Sequence, residues 1–231
     1  MDGIKSGKLY FLINSLAGGG AERVVVNISK PLAVDKIFLL ERDIKYEVDI
    51  PLDFLSSHSR KTSAIYKTLY IPLYALRFAK RINKNDIVVS FLERANFVNL
   101  VSKFFKPHKT IISVHIFDTE FSGLKSLNKI MIKLLYPKAD IVITVSKGIA
   151  HLLEKKYKVP KEKIYTIYNP INIEKIQEMA KEPLEMDFGP LMITVGRLSK
   201  QKGHWHLLRI FKEIKKEFSE YKLLIVGEGE L

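Results

Sequence analysis

"DIVVSFLERANFVNLVSKFFKPHKTIISVH", residues 86–115, decides how the chain is built. An apolar run of strand length, 86–91, gives way to a helical pattern over 95–105, and a second apolar run follows at 109–114. Neither run alternates polar and apolar residues, as strands with one wet face do. Near-continuous apolar strands are covered on both faces, and a helix between two of them points to parallel pairing through a crossover.

The same alternation extends outward in both directions. Strand-length runs recur at 8–13, 36–41, 140–145, 164–169, 191–195 and 222–227, with helical patterns at 21–32, 61–82, 124–136, 147–157 and 204–217. The expected fold is α/β: a Rossmann-like, doubly wound, mostly parallel sheet. The stretch 167–190, with three prolines and no strong strand, breaks the rhythm before a fresh series starts at Leu191. The expected organisation is a first domain over 1–182, a linker over 183–190 and the beginning of a second Rossmann-like domain over 191–231. A domain of fewer than about 50 residues seldom stands alone. The chain is therefore expected to be a fragment of a longer two-domain protein, or a natural truncation.

Composition narrows the partners. The 231 residues are 47% apolar, enough to bury a substantial core. The net charge of +13 calls for an anionic partner: nucleic acid, anionic lipid or a phosphorylated small molecule. Without cysteine the chain has no disulfide framework and no thiolate metal site. No apolar run approaches the ~18 residues of a spanning helix. The N-terminal "MDGIKSGKLYFLIN" reads as a first strand rather than a signal peptide. A cytoplasmic location follows as the expectation.

In open α/β sheets, ligands bind beyond the carboxyl ends of the strands. After the first strand, Gly18, Gly19 and Gly20 in "NSLAGGGAER" form either a tight turn or a close approach to an anion at a helix N-terminus. His115 ends the strand 109–114, where its ring would face the cleft. In "VGRLSKQKG", 195–203, Gly196 ends a strand, Arg197 offers a planar fork and Lys202 a point charge, a pairing suited to phosphate. "VGEGEL", 226–231, places Gly227 and Gly229 after the next strand as a second glycine turn.

Taken together, "GGGAERV", "SVH", "YNPIN", "VGRLSKQKG" and "VGEGEL" resemble the family 4 glycosyltransferases of the GT-B fold, across residues 8–231. The resemblance implies transfer of a sugar from a nucleotide-sugar, a UDP-sugar by expectation, with retention of anomeric configuration. It implies that the donor lies in the cleft between two Rossmann-like domains. By the same resemblance Arg197 and Lys202 neutralise the donor diphosphate, Gly18 to Gly20 pack under it, Gly227 and Gly229 form a donor-side turn, and His115 contacts the donor sugar as the catalytic candidate. Fixed cations aimed at a leaving group that gains charge lower the barrier. No Asp-x-Asp occurs, so neither a metal nor a further cofactor is expected. The family's two-glutamate motif, which binds the donor ribose and sugar, is not present in these residues. Activity of the chain alone is accordingly in question, and the alternative is a non-catalytic module that binds acceptor or membrane.

Residues 60–84 carry seven Lys/Arg and no acid, interleaved with Tyr66, Tyr70, Tyr74 and Phe78. Two readings fit. Lys67, Arg77, Lys80 and Arg81 lay an amphipathic helix on an anionic bilayer, or the helix packs on the sheet with its lysines in water. Pro72 should kink or split it in either case. Many members of the resembled family glycosylate lipid-linked acceptors, which favours a peripheral enzyme on the inner face of the cell membrane, with a lipid-linked or glycan acceptor. "SKFFKPHK", 102–109, could extend that surface. A nucleic-acid partner is not expected, because no RRM, KH or zinc signature accompanies the charge. A nicotinamide dehydrogenase is not expected either, for want of GxGxxG.

Overall fold

A computed structural model describes residues 7–59, 61–115, 125–183, 188–229 and 231. Arg60 and residues 116–118 of "SVHIFD" lie outside the described residues. The chain divides into two compact units, Met1–Ile171 and Asn172–Leu231. Each is described by itself.

The first unit holds β1 (Leu9–Ile13), α1 (Gly20–Ser29), β2 (Lys36–Leu39), β3 (Leu52–Phe54), α2 (Ala64–Leu69), α3 (Ile71–Ala79), β4 (Ile87–Phe91), α4 (Glu93–Phe105), β5 (Lys109–Val114), α5 (Lys125–Leu135), β6 (Ile141–Thr144), α6 (Lys147–Tyr157) and β7 (Ile164–Thr166). All seven strands are parallel, in the order β3-β2-β1-β4-β5-β6-β7. From β1 the chain winds outward to β3, and from β4 it winds the other way to β7. The strand order thus reverses between β1 and β4, where Phe11 pairs with Val89 and Ile13 with Phe91. The expected doubly wound sheet is the one found.

Two apolar cores flank the sheet. One joins Leu12, Phe38, Val88 and Ile112 to Tyr74 and Phe78 of α3, Phe97 of α4, Ile132 of α5 and Leu153 of α6. The other joins Phe11, Ile13, Ile37 and Leu39 to Val25 of α1. Successive strand residues face opposite cores, as the pleat requires. Pro72 splits the long helical pattern: α2 ends at Leu69, Tyr70 caps α3, and the proline sits in the first turn of α3, where its missing N–H is harmless.

The second unit holds α7 (Ile173–Met179), β8 (Leu191–Val195), α8 (His204–Glu217) and β9 (Lys222–Val226). β8 and β9 form a parallel two-stranded sheet of their own, with Thr194 opposite Ile225. The sequence drew the first domain on to 182. The first compact unit ends at Ile171, and α7, none of whose residues is buried, falls within Asn172–Leu231.

Candidate functional site

A cleft of about 320 Å³ opens at the carboxyl ends of β1, β4 and β5, beside the point where the strand order reverses. That is where an open α/β sheet offers space for a ligand. Asn14 follows β1, Glu93 and Arg94 follow β4, and His115 follows β5; Phe97 and Tyr136 add apolar wall.

Buried polar contacts fix the β4–α4 side of the cleft. Ser90 Oγ donates to Asn96 Oδ1 at 2.8 Å, and Asn96 Nδ2 donates to the Ser113 carbonyl at 3.1 Å. One turn on, Asn99 Nδ2 donates to the Val88 carbonyl at 3.2 Å and to Ser90 Oγ at 3.0 Å. The two asparagines of α4 thus lock the helix onto both strands. Between β4 and α4 the backbone turns through Leu92 at φ 71°, a left-handed value on a branched-chain residue. The turn brings Glu93 into the first turn of α4 and into the cleft wall.

Charge at the cleft is unevenly satisfied. Glu41, 4% exposed, accepts from Lys67 Nζ at 2.9 Å and from an Arg94 terminal nitrogen at 2.7 Å. Lys67 also donates to the Ser59 carbonyl at 3.2 Å. Glu93 has no hydrogen-bond partner among the described residues, and burial pushes its carboxyl pKa up, with Arg94 pulling the other way. Burial also lowers the pKa of His115, which favours the neutral ring; Ser113 Oγ lies 3.1 Å from its Nε2.

His115 therefore stands in the cleft, as its place at a strand end led one to expect. Gly18 to Gly20 sit at the same end of β1 but do not line the cleft. Gly18 holds φ 103°, and a Cβ on Gly19 would overlap the carboxylate of Glu22, which folds back over the start of α1. Glu93, Arg94 and Asn14 were missed. The signal was there, since "LER" occupies the gap between the strand at 86–91 and the helical pattern at 95–105.

The four basic residues assigned to a membrane surface do not share one environment. Lys67 is a correction: only 6% exposed, it is turned inward to Glu41 and is no surface charge. Arg77 donates to the Leu55 carbonyl at 3.0 Å and stacks over Tyr70, and Arg81 pairs with Asp53. Lys80 alone of the four is exposed with no recorded partner among the described residues. No helix among the described residues is long and apolar enough to cross a membrane.

In the second unit, β8 ends at Gly196, and the tail of Lys202 runs across that glycine, its Cδ and Cε 4.0 Å from where a Cβ would stand. Arg197 and Lys202 are both exposed, and neither has a carboxylate partner among the described residues. The two glycine loops run side by side: Gly196 N donates to the Val226 carbonyl at 2.9 Å and Leu198 N to the Glu228 carbonyl at 2.9 Å. A side chain on Gly227 would overlap the Gly196 carbonyl, and one on Gly229 the Leu198 carbonyl. Close backbone approach explains both glycines.

The model of glycosyltransferase family 4 matches residues 18–175, and that of glycosyl transferases group 1 matches residues 175–231. The chain belongs to glycosyltransferase family 4. It is 32% identical to the N-acetylgalactosamine-N,N'-diacetylbacillosaminyl-diphospho-undecaprenol 4-alpha-N-acetylgalactosaminyltransferase of Campylobacter jejuni, over 97% of this chain and 63% of that protein. A second Campylobacter jejuni relative, an alpha-1,4-N-acetyl-D-galactosaminyltransferase acting on a diNAcBac-PP-undecaprenol glycan, is 24% identical over 97% of this chain and 62% of its own. The chain thus spans less than two thirds of each relative. Among solved structures, Anabaena HepE in complex with UDP superposes with a TM-score of 0.70 at 17% identity, covering 97% of this chain and 62% of that one. The catalytic domain of Arabidopsis thaliana starch synthase IV, bound to ADP and acarbose, gives 0.66 at 15% identity, covering 98% and 69%. These likenesses show the GT-B fold.

Proposed function

We propose that the protein transfers a sugar from a UDP-sugar to a lipid-linked acceptor, with retention of configuration, at the inner face of the cell membrane. The observation that carries this reading is the pair Arg197 and Lys202, exposed at the end of β8 without carboxylate partners among the described residues. A guanidinium fork and an ammonium in front of α8 suit a diphosphate, and they stabilise the charge that the leaving nucleoside diphosphate gains. In this reading they do so without a metal ion. The two Campylobacter relatives support a lipid-linked acceptor by their activities, and HepE supports a uridine nucleotide by its bound UDP. The first unit takes the acceptor. The exposed, partly apolar face of α2 and α3 rests on the bilayer, and nucleic acid has no part.

The test is substitution in the native full-length protein. Charge-assisted hydrogen bonds contribute roughly 1.5–3 kcal/mol each. Arg197→Ala and Lys202→Ala should therefore each lower donor kcat/KM about ten- to a hundredfold. Unchanged donor kinetics in both variants would retire the diphosphate role. Failure of the native protein to use any UDP-sugar would retire the transfer reaction itself.

A further inference from the structure

The cleft at the strand-order reversal contains one carboxylate without a hydrogen bond among the described residues. Glu93 lines it, holds no hydrogen bond among the described residues, and is delivered there by a backbone turn at Leu92 that a non-glycine residue rarely adopts. Such local strain clusters where a site needs a side chain in one place. A structural carboxylate taken out of water is ordinarily paired; Glu41, the partner of the lining residue Arg94, shows what pairing looks like, with a cation on each oxygen. Among the described residues, Asn14 Oδ1 and Arg94 Nε in the same lining are buried without a partner.

We propose that Glu93 is an acceptor-specificity residue whose carboxylate accepts a hydrogen bond from a ring hydroxyl of the acceptor's terminal sugar, seated in this cleft. The proposal rests on the reading that the first unit takes the acceptor. Three features of the cleft select a sugar. Among the described residues, the Asn14 amide oxygen and the Arg94 Nε–H are buried in its lining without a partner, and the half-buried Glu93 carboxylate holds no hydrogen bond. Neighbouring hydroxyls, each both donor and acceptor, satisfy such a set. Phe97 and Tyr136 offer apolar wall to the C–H face of a pyranose ring. At about 320 Å³ the space lies at the small end of ligand pockets, roughly 300–1,000 Å³, which suits one sugar residue. An acceptor diphosphate does not belong here, because Glu93 would repel it. The carboxylate thus sorts the sugar from the phosphate end of the same acceptor.

The decisive experiment titrates free glucose, galactose, N-acetylglucosamine and N-acetylgalactosamine into the 231-residue chain, read by saturation-transfer NMR. At least one sugar should bind, and Glu93→Gln should weaken it about tenfold, since a hydrogen bond to a charged acceptor is replaced by one to a neutral amide. Glu93→Asp, one methylene shorter, should weaken it as well, and serves if the glutamine variant fails to fold. In the native full-length protein, Glu93→Gln should raise the acceptor KM while leaving the donor KM unchanged, a split that a merely structural role would not produce. Sugar binding that is equal in parent and variants overturns the role of Glu93 and leaves the acceptor reading standing. No binding of any sugar by the parent overturns both.

Discussion

Leu92, at φ 71° and ψ 155°, holds a conformation that costs of order 1–3 kcal/mol for a residue with a side chain, and the residue it presents is itself expensive. Burial raises the pKa of Glu93 above its ordinary 4.5. Between that ordinary value and the raised one, the folded state binds more protons than the unfolded state, so stability falls as pH rises through this window. Above it the ionised Glu93 costs stability in full. The groups around it do not reverse the sign: Arg94 lowers the cost without cancelling it, His115 is driven toward neutrality, and the phenols of Tyr136 and Tyr157 are themselves raised, in part by Glu93. Glu93→Gln should therefore melt above the parent at pH 7, with the gap closing as pH falls through this window toward about 4.5. Thermal melts at pH 4, 5.5 and 7 check this, and a glutamine variant that melts lower at pH 7 contradicts it. His115 was legible in the sequence because a histidine at the end of an apolar strand has one place to be. The place of Glu93 between strand and helix is equally legible, but its burial is not, because that arises only when α4 packs against the sheet. Nor could the sequence show that Lys67 would meet Glu41, since the pair is made only when α2 folds over the loop after β2.

At the scale of elements, α2 and α3 combine both readings of the basic helix. Their inner face packs on the sheet through Ile71, Tyr74, Ala75 and Phe78, all 2% exposed or less. Exposed apolar residues stand on each, Ile65, Tyr66 and Leu69 on α2 and Leu73 and Leu76 on α3, each at least 36% exposed and at three- or four-residue spacing within its own helix. Phe104 and Phe105 at the end of α4 are exposed as well, with Lys138 over the Phe104 ring. Because only Lys80 of the four chosen cations is exposed without a partner, these apolar residues are the better test of bilayer contact. Leu69→Glu combined with Leu73→Glu should sharply reduce co-sedimentation with anionic vesicles. It should leave the melting temperature nearly unchanged, since surface substitutions usually fall within about ±0.5 kcal/mol. Vesicle binding that survives the double substitution assigns these residues another partner. Lys67→Gln is unsuited to this test, because it strips a buried ion pair. The split at Pro72 could be read directly, as could every strand among the described residues but β3. β3 escaped because three residues at a sheet edge leave no pattern to recognise, and α7 because two turns of exposed helix are too short to establish a period.

The two units of the whole molecule are unequal in what they bury. Both apolar cores belong to the first unit, whereas the only buried residues of the second, among those described, are Ser199 and His204. Its strands and helix expose Ile193 at 59%, Val195 at 76%, Leu208 at 53% and Ile210 at 58%. Local stability follows buried contact, and regions with little of it open at low free energy. Hydrogen exchange on the 231-residue chain should therefore find the amides of β1, β4 and β5 protected and those of β8 and β9 exchanging orders of magnitude faster. The loop with Arg197 and Lys202 belongs to the lightly held unit. A ligand that binds only the folded form stabilises it by mass action, about 2.7 kcal/mol at a hundred times its dissociation constant. Saturating UDP should accordingly slow exchange across 191–203 and 222–229 by about a hundredfold while leaving the first unit's strands unchanged. Equal protection of the two units without nucleotide would contradict the burial argument. A nucleotide effect confined to β1, β4 and β5 would move the diphosphate site out of the second unit altogether.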